Sequence, residues 1–283
     1  MTDLPTSATR LIALLGNPVA HSISPIFQNA AFRHAGVDGV YLALRCEGAA
    51  VPGLLRGIAL AGGGGNVTVP HKEVAAQAVD EPTEAVRRTG ACNTFWSEGD
   101  RIRGDNTDVV GSARAIEALL GGSAAGARVL LVGSGGAARA ALAALADGGA
   151  GEVVLLNRTR GRAEALAALF HDAPFRARVA EREEELPDGS FDLAINTTPL
   201  GLHARDSLPL SDRLIDRLRA GFDMVYRNGG TEWVRRLQAA GIPAADGREM
   251  LLWQGAAAFE RWWRIPAPLE VMRAAIEAAT RAL

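Results

Sequence analysis

Residues 129–142 read VLLVGSGGAARAAL. An apolar run enters a turn containing Gly133, Gly135 and Gly136 and leaves it directly as the start of an alanine-rich helix. Glycines at this spacing allow a tight turn and let the backbone approach a pyrophosphate. The helix start then offers free N–H groups and the positive end of its dipole. Turns of this kind also join strands to helices with nothing bound, so the context has to decide. The next strand, EVVLLN (152–157), ends at Asn157, where an NAD-binding domain places an acid against the ribose. Here the tip reads NRTRGR (157–162), without an acid and with Arg158, Arg160 and Arg162 available for a 2′-phosphate. Together the two features predict an NADP(H) site.

On both sides of this stretch apolar strands alternate with amphipathic helices, which predicts an α/β fold with largely parallel sheets. Ahead of it, strands are expected at RLIALLG (10–16), VYLALRC (40–46) and Val67–Val69, the last stopping at Pro70. The helix between the last two strands is expected to decay into Gly62–Gly65, and ACNTFWSEGDRIRG (91–104) reads as a hairpin turning near Glu98–Asp100. SPIFQNAAFRHAG (24–36) reads as a helix with Ser24 as N-cap, Pro25 at the first position and Gly36 closing it. A long helix, 107–120, ends in GGSAAGA (121–127), where Gly121, Gly122 and Gly126 suit a hinge. Beyond it come RVLLVG (128–133), FRARVA (175–180), FDLAIN (191–196) and GFDMVY (221–226), with helices at 136–145, 160–170 and 231–240. Two further helices fill the tail, 248–264 and 268–283. The expected domains are 1–106, with 245–283 packing back onto it, and 107–244.

The bulk numbers fit such a chain. It has 283 residues, 48% hydrophobic and 22% charged, enough for two domains. A formal charge of −2 and a pI near 6.2 give no reason to expect nucleic acid or a membrane surface as partner. Cys46 and Cys92 suggest neither a disulfide framework nor a metal site, and two lone thiols fit a reducing cytoplasm. No secretory signal and no bilayer-spanning segment is read. A monomer or a homodimer is expected.

Polar clusters sit where strands of the first half stop: HSISP (21–25), NVTVPHK (66–72), ACNT (91–94) and GDNTD (104–108). That edge is where open α/β sheets bind ligands. Each cluster also has a plain reading: Ser24 as a cap, Asp108 as a helix-dipole partner, Asn93 and Asn106 as turn residues. Lys72 is different. If Pro70 opens a helix, the lysine lies at the positive end of the dipole, where a cation is opposed by about 0.3–1 kcal/mol. A ligand carrying or developing negative charge would account for it.

These same stretches carry a resemblance. GNPVAHSISP, NVTVPHK, GACNT, GDNTD, GSGGAARA, NRT, NTTPLG, DMVY and DGREMLLWQ are similar, in order, to the motif series of the shikimate dehydrogenases, from Gly16 to Gln254. The resemblance implies NADPH-dependent reduction of 3-dehydroshikimate to shikimate in aromatic amino-acid biosynthesis. It also implies a Rossmann-type NADP domain and an α/β substrate domain flanking a cleft. Ser22 and Ser24 would hold the substrate carboxylate with Thr68 and Tyr226, and Asn66, Asn93 and Gln254 the ring hydroxyls. Lys72 and Asp108 would be the catalytic pair. Gly133, Ser134, Gly135, Gly136 and Ala137 would cradle the pyrophosphate, and Asn157, Arg158, Thr159 and Arg162 the adenosine phosphate. Thr197, Met224 and Gly247 would line the nicotinamide end.

The sequence departs from the family pattern at Ile23, Gln28, Cys92 and Thr197, none with a chemical role. These departures bear on substrate breadth, since relatives include enzymes that use quinate or amino analogues. Two alternatives stand beside the main reading: a quinate/shikimate dehydrogenase with broader substrate or NAD use, and a non-catalytic paralogue that senses shikimate-like ligands. His21 and His71 are read as turn or core residues. His34, His171 and His203 share no ligand spacing, so no metal is expected. Trp253, Trp262 and Trp263 are expected to pack.

Overall fold

The computed structural model describes residues 4–203 and 205–282. The chain divides into two compact units, one running to Thr107 and joined by Leu252–Ala282, the other Asp108–Leu251. These divisions fall at 107/108 and 251/252, where the sequence reading draws them at 106/107 and 244/245. Among the described residues no helix is long and apolar enough to cross a membrane.

The first unit runs β1 (Arg10–Gly16), α1 (Ser24–Ala35), β2 (Gly39–Arg45), α2 (Val51–Leu60), β3 (Gly64–Val67) and α3 (Lys72–Ala78). After these come β4 (Glu81–Pro82), α4 (Glu84–Thr89), β5 (Thr94–Glu98) and β6 (Arg101–Asp105). Its sheet has the order β2-β1-β3-β5-β6-β4, with β1 parallel to both neighbours and β5 antiparallel to β3 and β6. The apolar run Ile12–Leu15 is buried, as a strand covered on both faces demands.

Several local expectations shift. Gly64 and Gly65 belong to β3 rather than to a fading helix, because the strand is squeezed on both sides. A Cβ on Gly65 would overlap Ala13 O and come within 2.8 Å of the Phe95 ring. The strand ends at Val67, not Val69, and Pro70 lies in a turn, so α3 opens at Lys72 with His71 at its N-cap. Ser24 is the first residue of α1, with Ile23 at the N-cap, and makes no capping bond. Gly36 closes that helix in the left-handed conformation, φ 68°.

The second unit runs α5 (Asp108–Leu120), β7 (Arg128–Val132), α6 (Gly136–Asp147), β8 (Glu152–Leu156), α7 (Arg160–Ala168), β9 (Arg176–Ala180) and β10 (Leu193–Asn196). Then follow β11 (Gly221–Asp223), α8 (Glu232–Ala239), β12 (Ala244–Ala245) and the start of α9 (Arg248–Trp263), and α10 (Leu269–Arg281) ends the first unit. The strands lie in the order β12-β11-β10-β7-β8-β9, all parallel. The order reverses between β7 and β10, the place where doubly wound sheets open a ligand crevice. Leu130, Val154, Phe191, Ala194 and Leu237 are among the side chains that fill the core.

GFDMVY leaves the sheet at Asp223 rather than continuing to Tyr226. Asp223 is fully buried. Its Oδ1 accepts from Asn196 Nδ2 at 2.8 Å and Val225 N at 3.0 Å, and its Oδ2 from Thr231 Oγ1 at 2.7 Å. One carboxylate thus ties together the end of β10, the segment after β11 and the N-cap of α8, where Thr231 Oγ1 also accepts from Val234 N. Burial outweighs these hydrogen bonds and pushes the carboxyl up to about 6.

Gly65→Ala should destabilise the first unit by about 1–3 kcal/mol or more through overpacking, read as a lower urea midpoint. Because the folded protein holds the Asp223 proton more tightly than the unfolded chain, this group's contribution falls as pH rises from about 4 to about 6. Asp223→Asn keeps the shape, and Thr231 can reverse its hydroxyl to accept. Going from pH 7.5 to pH 4.5, wild type should gain about 1–3 kcal/mol relative to this variant in urea melts. Parallel pH profiles would refute the assignment.

Candidate active site

In the first unit the predicted polar residues converge through one buried network. Asn66, in β3, donates from Nδ2 to Asn93 O and Thr94 Oγ1, both at 3.0 Å. Its Oδ1 accepts from Tyr41 Oη at 2.8 Å. Asn93 Oδ1 accepts from Thr107 N at 2.8 Å, Thr94 Oγ1 at 2.9 Å and Thr107 Oγ1 at 3.1 Å. Both amides therefore have fixed orientations: Asn66 has acceptor capacity left on Oδ1, while Asn93 can meet a ligand only through Nδ2.

Ser22 and Ser24 lie half-buried at the start of α1, joined by Ser24 N donating to Ser22 Oγ at 3.3 Å. The Ser24 hydroxyl also bonds the Tyr41 phenol, whose pKa is raised well above its ordinary value by burial and lowered in part by this bond. Thr68 is half-buried behind β3, and a Cβ on Gly16 would overlap its methyl. Lys72 is half-buried, and its carbonyl accepts from Cys92 N at 2.9 Å, which sets it against the turn carrying Asn93. Cys92 is no nucleophile, because burial pushes its thiol up to about 12. Gln254 lies on α9, and next to it Gly255 O accepts from Gln28 Nε2 at 2.9 Å, so Gln28 docks α1 onto α9. His71 is buried with Nε2 2.9 Å from Cys46 O, and His21 is exposed. Trp262 donates to Phe95 O at 3.2 Å, and Trp263 packs edge-on against Phe32.

Tyr41, Thr94, Thr107 and Asp105 are positioning residues that the sequence reading does not single out. Asp105 accepts from Thr83 Oγ1 at 2.7 Å, Asn106 N at 2.8 Å and Arg261 Nε at 3.0 Å, while its carbonyl accepts from Asn93 N. Thr94 falls inside ACNT, and Asp105 and Thr107 inside GDNTD, but nothing in those clusters marks them as the supports of Asn66 and Asn93. Tyr41 gave no signal beyond its place in an apolar strand.

In the second unit Asp108 opens α5 and is buried, with its carboxylate at the favourable end of the helix dipole. The glycine turn follows β7. Gly133 has φ +107°, and a Cβ there would lie 2.6 Å from Thr197 Oγ1, so folding itself requires glycine. Thr197 locks the turn by donating from both N and Oγ1 to Val132 O, at 2.9 and 2.7 Å. Gly135 and Gly136 differ: neither has a positive φ, and a Cβ on either would meet nothing within 4 Å. The chain does not need glycine there to fold, whereas a pyrophosphate approaching the α6 N-terminus does.

Gly133, Ser134 and Gly135 line a cavity of about 910 Å³ together with Asn157, Arg158, Arg162 and Thr197. Ala137 stands in the first turn of α6, and Thr159 is the N-cap of α7, its carbonyl accepting from Asn157 Nδ2 at 2.8 Å. Arg158 and Arg162 have no ion pair or side-chain hydrogen bond among the described residues. Arg160 is held instead, with Nη2 2.6 Å from Glu185 Oε2. The residues present thus fit a phosphorylated dinucleotide. Acids share this cavity with the arginines. The tip of β8 lacks an acid, but Glu181, Glu183 and Glu184 reach the same cavity from the end of β9, which pairs alongside.

Met224 and Tyr226 follow β11, and Gly247 precedes α9 beside them. Met224 N donates to Asn196 O and Gly247 N to Val225 O, and a Cβ on Gly247 would overlap Met224 O. Burial, and after it the charge of Asp246, raises the pKa of the Tyr226 phenol. Among the described residues no group of three or more His, Cys, Asp or Glu could hold a metal ion.

Three family models match the chain: the shikimate dehydrogenase substrate binding domain over residues 14–95, shikimate/quinate 5-dehydrogenase over 115–193, and the shikimate 5′-dehydrogenase C-terminal domain over 247–277. Shikimate dehydrogenase (NADP(+)) of Moorella thermoacetica is 40% identical over 278 residues, 94% of this chain and 92% of that one. The Methanopyrus kandleri enzyme of the same name is 38% identical, covering 95% of each. Among solved structures, shikimate 5-dehydrogenase from Thermus thermophilus, in complex with NADP(H) and shikimate, superposes with a TM-score of 0.84 at 36% identity, covering 96% of this chain and 100% of that one. The chain belongs to the shikimate dehydrogenase family.

Proposed function

We propose that this protein is a cytoplasmic NADP-dependent shikimate dehydrogenase that reversibly reduces 3-dehydroshikimate to shikimate for aromatic amino-acid biosynthesis. The observation that carries the cofactor choice is the pair Arg158 and Arg162, whose guanidinium groups have no ion pair or hydrogen bond among the described residues and which line a cavity that opens at the glycine turn. In this reading the first unit binds substrate and the second binds NADP(H).

NADP(H), when bound, supplies or accepts the hydride. The protein's own residues do the rest. Ser22 and Ser24, with Thr68 and Tyr226, hold the carboxylate. Asn66 and Asn93 meet ring hydroxyls with opposite polarity, one accepting and one donating, and Gln254 meets a third group. As the ketone is reduced its oxygen gains negative charge, and the Lys72 ammonium stabilises that charge and delivers the proton. Asp108 orients Lys72 and accepts from a neighbouring hydroxyl, which penalises substrates lacking it. In the reverse direction Lys72 takes the hydroxyl proton. Gly133–Ala137 hold the pyrophosphate, Asn157, Arg158, Thr159 and Arg162 the adenosine end, and Thr197, Met224 and Gly247 the nicotinamide end.

Mixing the protein with shikimate and NADP⁺ should produce the absorbance of NADPH; binding of shikimate without turnover would mark a sensor instead. Lys72→Ala should lower kcat by about 10²–10⁴-fold with a smaller effect on substrate affinity. Near-normal turnover in that variant would remove Lys72 from the chemistry. Arg158→Ala should raise the KM for NADP⁺ by about tenfold to a hundredfold, the loss expected for hydrogen bonds to a charged group, and leave NAD⁺ nearly unaffected. Equal changes for the two nucleotides would refute the 2′-phosphate assignment.

A further inference from the structure

The cavity in the second unit is electrostatically two-sided. Arg158 and Arg162, with Arg182, favour a phosphate, while Glu181, Glu183 and Glu184, lining the same cavity from the neighbouring strand end, oppose it. The acids are there for a topological reason. β9 runs parallel beside β8, and Asn157 N donates to Ala180 O, so the residues after Ala180 are delivered next to the arginine-bearing tip. A nucleotide with a doubly charged 2′-phosphate meets this wall in a way that its unphosphorylated counterpart does not.

One guanidinium covers most of that charge. Arg213 Nη2 lies 3.0 Å from Glu184 Oε1 and 3.6 Å from Glu183 Oε2, and Arg213 itself lines the cavity. Glu183 is fixed in place because its carboxylate accepts from Ser211 N at 2.7 Å and Ser211 Oγ at 2.5 Å. Glu181 has no side-chain partner among the described residues. Arg182 lines the cavity too, but its ion pair is with Glu185, at 3.6 Å, so Arg213 is the guanidinium paired with Glu183 and Glu184. Resting on the NADP reading above, we propose that Arg213 is a cofactor-selectivity residue, which masks Glu183 and Glu184 without itself binding the phosphate.

The test is a double-mutant cycle read through the two nucleotides. Arg213 is 72% exposed, so its truncation leaves the core intact. Arg213→Ala should raise the KM for NADP⁺ about threefold to tenfold and that for NAD⁺ less than about twofold, with the mutant-to-wild-type ratio collapsing in about 1 M salt. Adding Glu184→Gln to Arg213→Ala should bring the KM for NADP⁺ back to within about twofold of wild type. An unchanged KM for NADP⁺ in Arg213→Ala, or equal changes for both nucleotides, would overturn the proposal. A selective loss that Glu184→Gln leaves unrepaired would make Arg213 a direct phosphate ligand and overturn the masking role. Wild-type protein showing no preference for NADP⁺ would remove the cofactor reading itself, and this inference with it.

Discussion

The parallel pairing of β7 with β10 is the constraint on which the second unit's site depends. Where these strands meet, successive connections leave to opposite sides of the sheet, and a crevice opens at their carboxyl ends. Thr197 closes the bottom of that crevice by placing two donors on Val132 O. The chain can turn away only through a left-handed residue with no side chain, which is Gly133. Pairing, turn and glycine are therefore one requirement. Gly135 and Gly136 fall outside it, since a methyl group on either would touch nothing in the protein. Gly53, Gly57, Gly122 and Gly161 are equally open, so what singles out Gly135 and Gly136 is their place at the N-terminus of α6, where a side chain would stand between the helix N–H groups and a phosphate.

The sequence revealed elements whose cause is local, and it failed where the cause comes from afar. The strand over 10–16 and the hairpin turning near Glu98–Asp100 were legible because apolar runs and turn residues act over a few positions. GFDMVY continues to look like a strand, yet it ends at Asp223 because Asn196 and Thr231, distant in sequence, both donate to that carboxylate. Ser24 has the composition of a cap, but its hydroxyl bonds Tyr41. The acids beside the arginines were invisible for the same reason. The tip of β8 shows only its own residues in the sequence, whereas the sheet sets the tip of β9 beside it.

Within the first unit the proposed substrate residues belong to a network whose polarity is already settled. Asn93 Oδ1 is filled by three donors, and two of them come from Thr107. An amide held in this way cannot exchange its oxygen and nitrogen to suit a different partner, since the exchange would set N–H against N–H. Asn66 is fixed by the same logic, with Tyr41 donating to its oxygen and two acceptors on its nitrogen. Such groups need no reorganisation when a ligand arrives, and a ligand with mismatched polarity leaves one of them unsatisfied in a buried site. The network also holds each amide redundantly: without the Thr107 hydroxyl, Thr107 N and Thr94 Oγ1 would still fix Asn93 Oδ1, and without the Tyr41 hydroxyl, Asn93 O and Thr94 Oγ1 would still fix Asn66 Nδ2, so the polarity that selects a ligand rests on residues that touch none.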